Sequence, residues 1–136
     1  MKLNDTLEQA QGQLEKLDDA QFDQLDFEWE GIRFHAKSEE NHSNGAHIHI
    51  QANLGRLFLT VEDPNQRAMA IERLYSTNRG IDSSYSIGDQ GKITFESITT
   101  TDEKLLGSEL MSALTLILLE SENHLRALRS HLRPIN

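Results

Sequence analysis

The chain predicts an α+β fold in the order α-β-β-β-α-β-β-α, an antiparallel sheet packed against N- and C-terminal helices. Three observations predict it. Apolar residues recur at spacings of three and four from Leu3 to Leu17, as on one face of a helix. The period drops to two between Phe27 and Ala52. A helix opened by Asp63-Pro64 and closed by Asn78-Arg79-Gly80 then precedes a short hairpin and one long amphipathic helix. At 136 residues the chain is expected to form one domain.

Leu3, Leu7, Ala10, Leu14 and Leu17 form a seam on the first helix, and Asp5 with Glu8 matches a capping box. Two heptads are too few for an isolated coiled coil, so this stripe should dock on the sheet or on a partner. Phe27 and Trp29 then alternate with Glu28 and Glu30. After Gly31 the parity flips, so that Ile32, Phe34 and Ala36 alternate with Arg33, His35 and Lys37; a bulge at Gly31 accounts for the flip. Ser38 to Gly45 reads as a loop. Ala46, Ile48, Ile50 and Ala52 face one side of a second strand, and His47, His49 and Gln51 the other. With the hairpin centred on Asn41, Phe34 faces Ile48 and Ile32 faces Ile50. After Asn53 to Gly55, Leu57-Phe58-Leu59-Thr60-Val61 is nearly continuous in apolar residues and reads as a central strand covered on both faces.

Asp63 is a good N-cap, Pro64 a favoured first helical residue, and Gln66 completes a second capping box. Met69, Leu74 and Tyr75, flanked by Ile71, give this helix its apolar side. Strands around Tyr85-Ser86-Ile87 and Lys92 to Glu96 enclose a turn at Gly88-Asp89-Gln90-Gly91. Thr100 and Glu103 mark the start of the last helix, with acids leading and arginines ending it. Its apolar residues cover more than one stripe, so it should touch the sheet and something else besides.

Composition excludes several classes. The net charge of −9 disfavours nucleic acid or an anionic membrane as the main ligand. Nine acids stand against Lys2 and Lys16 in residues 1–30, whereas Arg126, Arg129 and Arg133 close the chain. With no cysteine, disulfides and thiolate chemistry are out. The longest apolar run, Ala113 to Leu119 broken by Thr115, is far short of a membrane span, and the cytoplasm is the expected compartment.

Histidine forms the one cluster with chemical potential. The Asn41-centred register sets His35 opposite His47, with His49 on the same face and His42 in the connecting loop. Imidazoles so placed are zinc or copper candidates. No carboxylate has an obvious position to orient them, so a surface row of histidines is the preferred reading, and no cofactor is expected. Serines are frequent, but none lies in Gly-X-Ser-X-Gly. Glu39-Glu40 and Asp18-Asp19 read as solvated charge, and no phosphate loop or dinucleotide fingerprint is present. Catalysis is not expected.

The second helix ends in Leu74-Tyr75-Ser76-Thr77-Asn78, similar to the Leu-Leu-x-x-Asn end of the corresponding helix in class I type III secretion chaperones and the related YbjN-type family, often labelled a bacterial sensory transduction regulator. Ile87-Gly88-Asp89-Gln90-Gly91-Lys92-Ile93-Thr94-Phe95 resembles their strand–Asp-x-x-Gly–strand hairpin. The resemblance covers roughly residues 27–132 and is nearer the YbjN-like branch. It implies a small acidic homodimer without enzymatic activity; secretion chaperones wrap an unfolded cargo segment around apolar patches. The expected function is therefore a protein-binding module, chaperone- or adaptor-like, that binds a segment of a partner protein. Leu106, Leu110, Leu118 and Leu125 are the candidate partner contacts. Met69, Leu74, Ile87, Ile93 and Phe95 are the candidate dimer contacts. The alternative is a metal- or small-ligand-binding regulator that uses His35, His47 and His49.

Overall fold

In the computed structural model, which describes residues 2–16, 21–41, 45–77 and 83–134, five antiparallel strands form one sheet with helices at both ends of the chain. The elements are α1 (Leu3–Lys16), β1 (Gln24–Trp29), β2 (Ile32–Glu40), β3 (Ala46–Arg56), α2 (Pro64–Thr77), β4 (Ser83–Ile87), β5 (Lys92–Thr101) and α3 (Gly107–Arg129). The strand order is β1-β2-β3-β5-β4, so β3 is central and β1 and β4 are the edges. The inward residues of the strands share one core with the buried sides of the helices, α1 contacting β1 and α3 contacting β3; the other face of the sheet carries the polar residues of the alternation.

The parity flip at Gly31 is a hairpin rather than a bulge. Glu30 (φ 50°) and Gly31 (φ 78°) are both left-handed, as a two-residue turn between strands requires, and Trp29 pairs with Ile32 across it. Such a turn reverses which parity faces inward. Arg126 of α3 holds Glu30 through an ion pair at 3.0 Å and lies over the buried Trp29 ring, 5.3 Å from its centroid.

The β2–β3 register differs from the Asn41-centred one. Phe34 pairs with Ala52, Ala36 with Ile50 and Ser38 with Ile48. The shift is even-numbered, so every inward residue stays inward. It also builds one row across the whole sheet, Phe27–Phe34–Ala52–Phe95–Tyr85. Phe27 stacks on Phe34 at 5.0 Å between centroids, and Tyr85 meets Phe95 at 5.2 Å. Phe34 and Phe95 lie two strands apart, yet their rings meet edge-on at 6.4 Å because the intervening residue, Ala52, is small.

The strand expected over Leu57–Val61 does not form. β3 runs on through Asn53, and Gly55 (φ 138°) is a bulge inside it rather than part of a break between two strands. Arg56 then pairs with Lys92 on β5 and exchanges two backbone hydrogen bonds, each 2.9 Å, with Arg133 beyond α3. Residues 57–63 leave the sheet. Leu57 is buried, while Leu59 and Val61 are exposed. Glu62 anchors this segment: its carboxylate accepts the Leu59 N–H at 2.9 Å and Arg56 Nη1 at 3.0 Å, and it also pairs with Arg133. The Arg56 hydrogen bond, helped by the Leu59 N–H and the charge of Arg133, holds its pKa down at about 2 against an ordinary 4.5.

A folded-state pKa below the unfolded one stabilises the fold fully above about pH 4.5, and that stabilisation is lost as pH falls towards about 2. Glu62→Gln is accordingly expected to lower the urea midpoint at neutral pH, with the gap to wild type narrowing below about pH 4. A gap that does not change with pH would show that the carboxylate charge is not what anchors residues 57–63.

The helix ends follow two rules. For α2 the local signal holds: the Asp63 carboxylate accepts the Gln66 N–H at 3.0 Å. Gln66 does not return the bond; its side chain meets His131 at 2.7 Å. The expected stop at Gly80 lies outside the described residues. For α1 the helix begins at Leu3, so Asp5 sits within the first turn and caps nothing. The capping acceptor is instead Glu122 of α3, which takes the Leu3 N–H at 2.8 Å. Leu3 and Leu7 are buried against α3 and β1; Leu17 is outside the described residues.

α3 starts later than Thr100 and Glu103 suggested. The β-branched run Ile98-Thr99-Thr100-Thr101 stays in β5 and pairs back to Ala46, and the helix begins at Gly107. Leu106 is its N-cap without a side-chain bond, and the Gly107 N–H is taken by the Phe22 carbonyl at 2.8 Å. Ser38, fully buried, accepts the Leu105 N–H at 3.1 Å and ties this approach to β2.

Candidate functional site

The polar face of the sheet holds the histidines, but the register separates them. His35 lies opposite Gln51, not His47; His47 lies opposite Glu39 and His49 opposite Lys37. Each has its own carboxylate, contrary to the expectation that none was placed to orient them. His35 Nδ1 is 2.5 Å from Asp26, His47 Nε2 3.3 Å from Glu39, and His49 Nε2 3.0 Å from Glu96. Asn41 meets the other His47 nitrogen at 2.6 Å. Among the described residues no three His, Asp or Glu side chains converge as a metal would need, and His42 lies outside them. The arrangement is a set of cross-strand pairs. Glu96 is held below the usual carboxylate range first by the His49 hydrogen bond and then by Gln51; Glu39 is lowered chiefly by Lys37.

Over the middle of this face the sheet forms a concavity of about 850 Å³. Two cross-strand rows supply its polar lining. One is Asp26–His35–Gln51–Glu96, the other Glu28–Arg33–Asn53–Thr94–Ser86. The first row is tied together: Asp26 to His35, and Gln51 to Glu96 at 3.3 Å. In the second, Ser86 and Thr94 share a hydroxyl bond of 2.6 Å. The side chains of Glu28, Arg33 and Asn53 make no hydrogen bond or ion pair among the described residues. Sequence reading passed over all three, because nothing in their spacing along the chain sets them side by side.

The apolar candidates divide. Leu110, Leu118 and Leu125 lie in the core, under the sheet, and are closed to a partner; Leu106 is half-buried at the helix start. The exposed leucines of α3 are Leu116 and Leu119, on its outward side. Among the proposed dimer contacts, Leu74, Ile93 and Phe95 are core residues, whereas Met69 and Ile87 are half-exposed. Tyr75, on the same helix as Met69, is exposed too. Ile87 borders a cleft of about 530 Å³ with Leu57 and Leu59 as its apolar walls and Arg67 at its rim. Projection at helical period does separate Leu116 and Leu119 from the Leu110–Leu114–Leu118 stripe; the exposed Leu59 and Val61 had no such signal.

Edge β4, Ser83-Ser84-Tyr85-Ser86-Ile87, carries no charge and no proline. Edge β1 carries Asp26 and Glu28 and has α1 packed beside it. Charges and prolines are the usual guards of an exposed strand edge, so β4 is the unguarded one. No protein-family model matches the chain, and no curated protein matches it. No described helix is long and apolar enough to cross a membrane.

Proposed function

We propose that this chain is a cytoplasmic, non-enzymatic protein-binding module of chaperone or adaptor type, acting as a homodimer that holds a segment of a partner protein. The observation that carries the reading is the unguarded β4 edge beside exposed apolar side chains. A strand of five residues without charge or proline, at the end of the strand order, is an edge of the kind to which a further strand adds. Ile87 and the Leu57–Leu59 cleft lie at one end of it, and Met69 and Tyr75 add apolar area on α2. Leu116 and Leu119 on α3 give a second apolar patch for the partner segment, in place of the leucines that the core consumes.

The test is the mass in solution by light scattering, together with capture of co-purifying protein, for wild type and Ile87→Lys. Lysine on an edge strand opposes strand addition without disturbing the core, because Ile87 is half-exposed. Wild type is expected as a dimer with a partner, and the variant as a folded monomer with that partner depleted. Equal mass and equal capture in both proteins would remove the β4 edge from the function.

A further inference from the structure

The concavity on the polar face is not used by the reading above. Its second row holds three side chains, Glu28, Arg33 and Asn53, that are unengaged among the described residues. Glu28 and Arg33 are direct cross-strand partners of opposite charge, yet they form no ion pair within 4.0 Å among those residues. The neighbouring row behaves differently: Asp26 and Glu96 are already bonded to His35, His49 and Gln51. The result is a hollow of mixed polar and apolar lining in the size range of small-molecule sites, with a fixed frame around one guanidinium, one carboxylate and one amide that are unengaged among the described residues.

We infer that this hollow binds a free basic α-amino acid. Its carboxylate meets Arg33, whose planar fork matches two carboxylate oxygens. Its α-ammonium meets Glu28, directly across the strand pair, because an α-amino acid carries both groups on one carbon. Its side chain runs across β3, past Asn53, to a terminal cation at Glu96. Glu96 lies two strand spacings across from Arg33, about 10 Å, and two residues along, about 7 Å, hence about 12 Å away on the diagonal, a distance that a lysine or arginine side chain and the facing protein side chains span together. Charge selects the basic class. Asp26, Glu28 and Glu96 outnumber Arg33, so a ligand of net positive charge is favoured over a neutral or acidic one.

Calorimetric titration of the full chain tests this with L-lysine, L-arginine, L-glutamate and putrescine. Lysine or arginine is expected to bind. Glutamate should bind at least about ten-fold more weakly, as it meets Glu96 with the wrong charge. Putrescine, which has no carboxylate for Arg33, should be weaker by a similar factor, about ten-fold. Arg33→Met and Glu28→Gln are expected to weaken lysine at least about ten-fold each, with melting temperatures unchanged because both side chains are exposed and unbonded. Absence of lysine and arginine binding at millimolar concentration overturns the inference. So does putrescine binding as tight as lysine, or an affinity for lysine that survives Arg33→Met. Ile87→Lys leaves this site intact, so its failure and that of the dimer reading are told apart.

Discussion

Gly55→Ala is expected to cost about 3 kcal/mol or more, the sum of backbone strain and lost hydrogen bonds. At φ 138° an L-residue is strained in any surroundings, and here there is no room either. A Cβ at position 55 would stand 2.6 Å from the Arg133 carbonyl oxygen and 3.0 Å from the Arg129 guanidinium. Arg129 uses that guanidinium to bond the Leu54 carbonyl, and Arg133 exchanges its two backbone bonds with Arg56. Both contacts join the end of α3 to the central strand, so the added methyl pushes the C-terminal segment off β3. For a domain of this size the melting temperature should fall by roughly 10 °C. Gly88→Ala is the control. Gly88 has φ −102°, and its added Cβ would meet only the Lys92 carbonyl at 3.7 Å, an ordinary contact. Urea unfolding of both variants checks the pair. If Gly55→Ala costs no more than Gly88→Ala, the Gly55 bulge is not the hinge on which the C-terminal closure rests.

The same residue shows what was legible in the chain and what was not. Strand parity was legible: Phe27, Trp29, Phe34, Ile48 and Ile50 all face the core, because a half-buried sheet enforces alternation. Strand limits were not. Asn53 to Gly55 reads as a break between two strands, yet Gly55 is absorbed inside β3 as a bulge, and Leu57–Val61, apolar enough for a strand, leaves the sheet. Glu30-Gly31 reads as a bulge and is a two-residue turn; the two produce the same flip in parity. Local caps were legible at Asp63, where donor and acceptor are three residues apart, but Glu122 capping α1 comes from 119 residues away. The candidate site depends on register to an even greater degree. His35, His47 and His49 share a face in either register, but only the observed one sets His47 opposite Glu39 and His35 opposite Gln51; the other two carboxylates, Asp26 and Glu96, come from β1 and β5. A two-residue movement of the hairpin centre decides which chemistry the face offers, and no residue of the loop announces it.

The last large effect concerns β4, on which the proposed dimer depends. Phe95→Ala is expected to cost about 3–5 kcal/mol, the range for removing a buried aromatic ring. Phe95 is fully buried and touches Phe34 on one side and Tyr85 on the other, across the small Ala52. β4 is joined to the sheet by its ladder to β5, and Tyr85 on it is buried in the core. Removing the ring that Tyr85 packs on should therefore loosen β4 before the rest of the sheet. Hydrogen exchange should show the amides of Tyr85 to Ile87 losing protection first, while β1 and β2, held by Trp29, Arg126 and the Phe27–Phe34 stack, keep theirs. Phe95→Leu, which retains part of the volume, should fall between the two. Dimer mass is expected to track β4 protection across the series, because an edge that frays cannot template a second strand. Uniform loss of protection over all five strands would mean that the row acts as a single unit, with no separate weakness at the edge. A dimer that persists after β4 has lost protection would place the interface elsewhere, and the exposed Leu116 and Leu119 of α3 would then be the surface to substitute next.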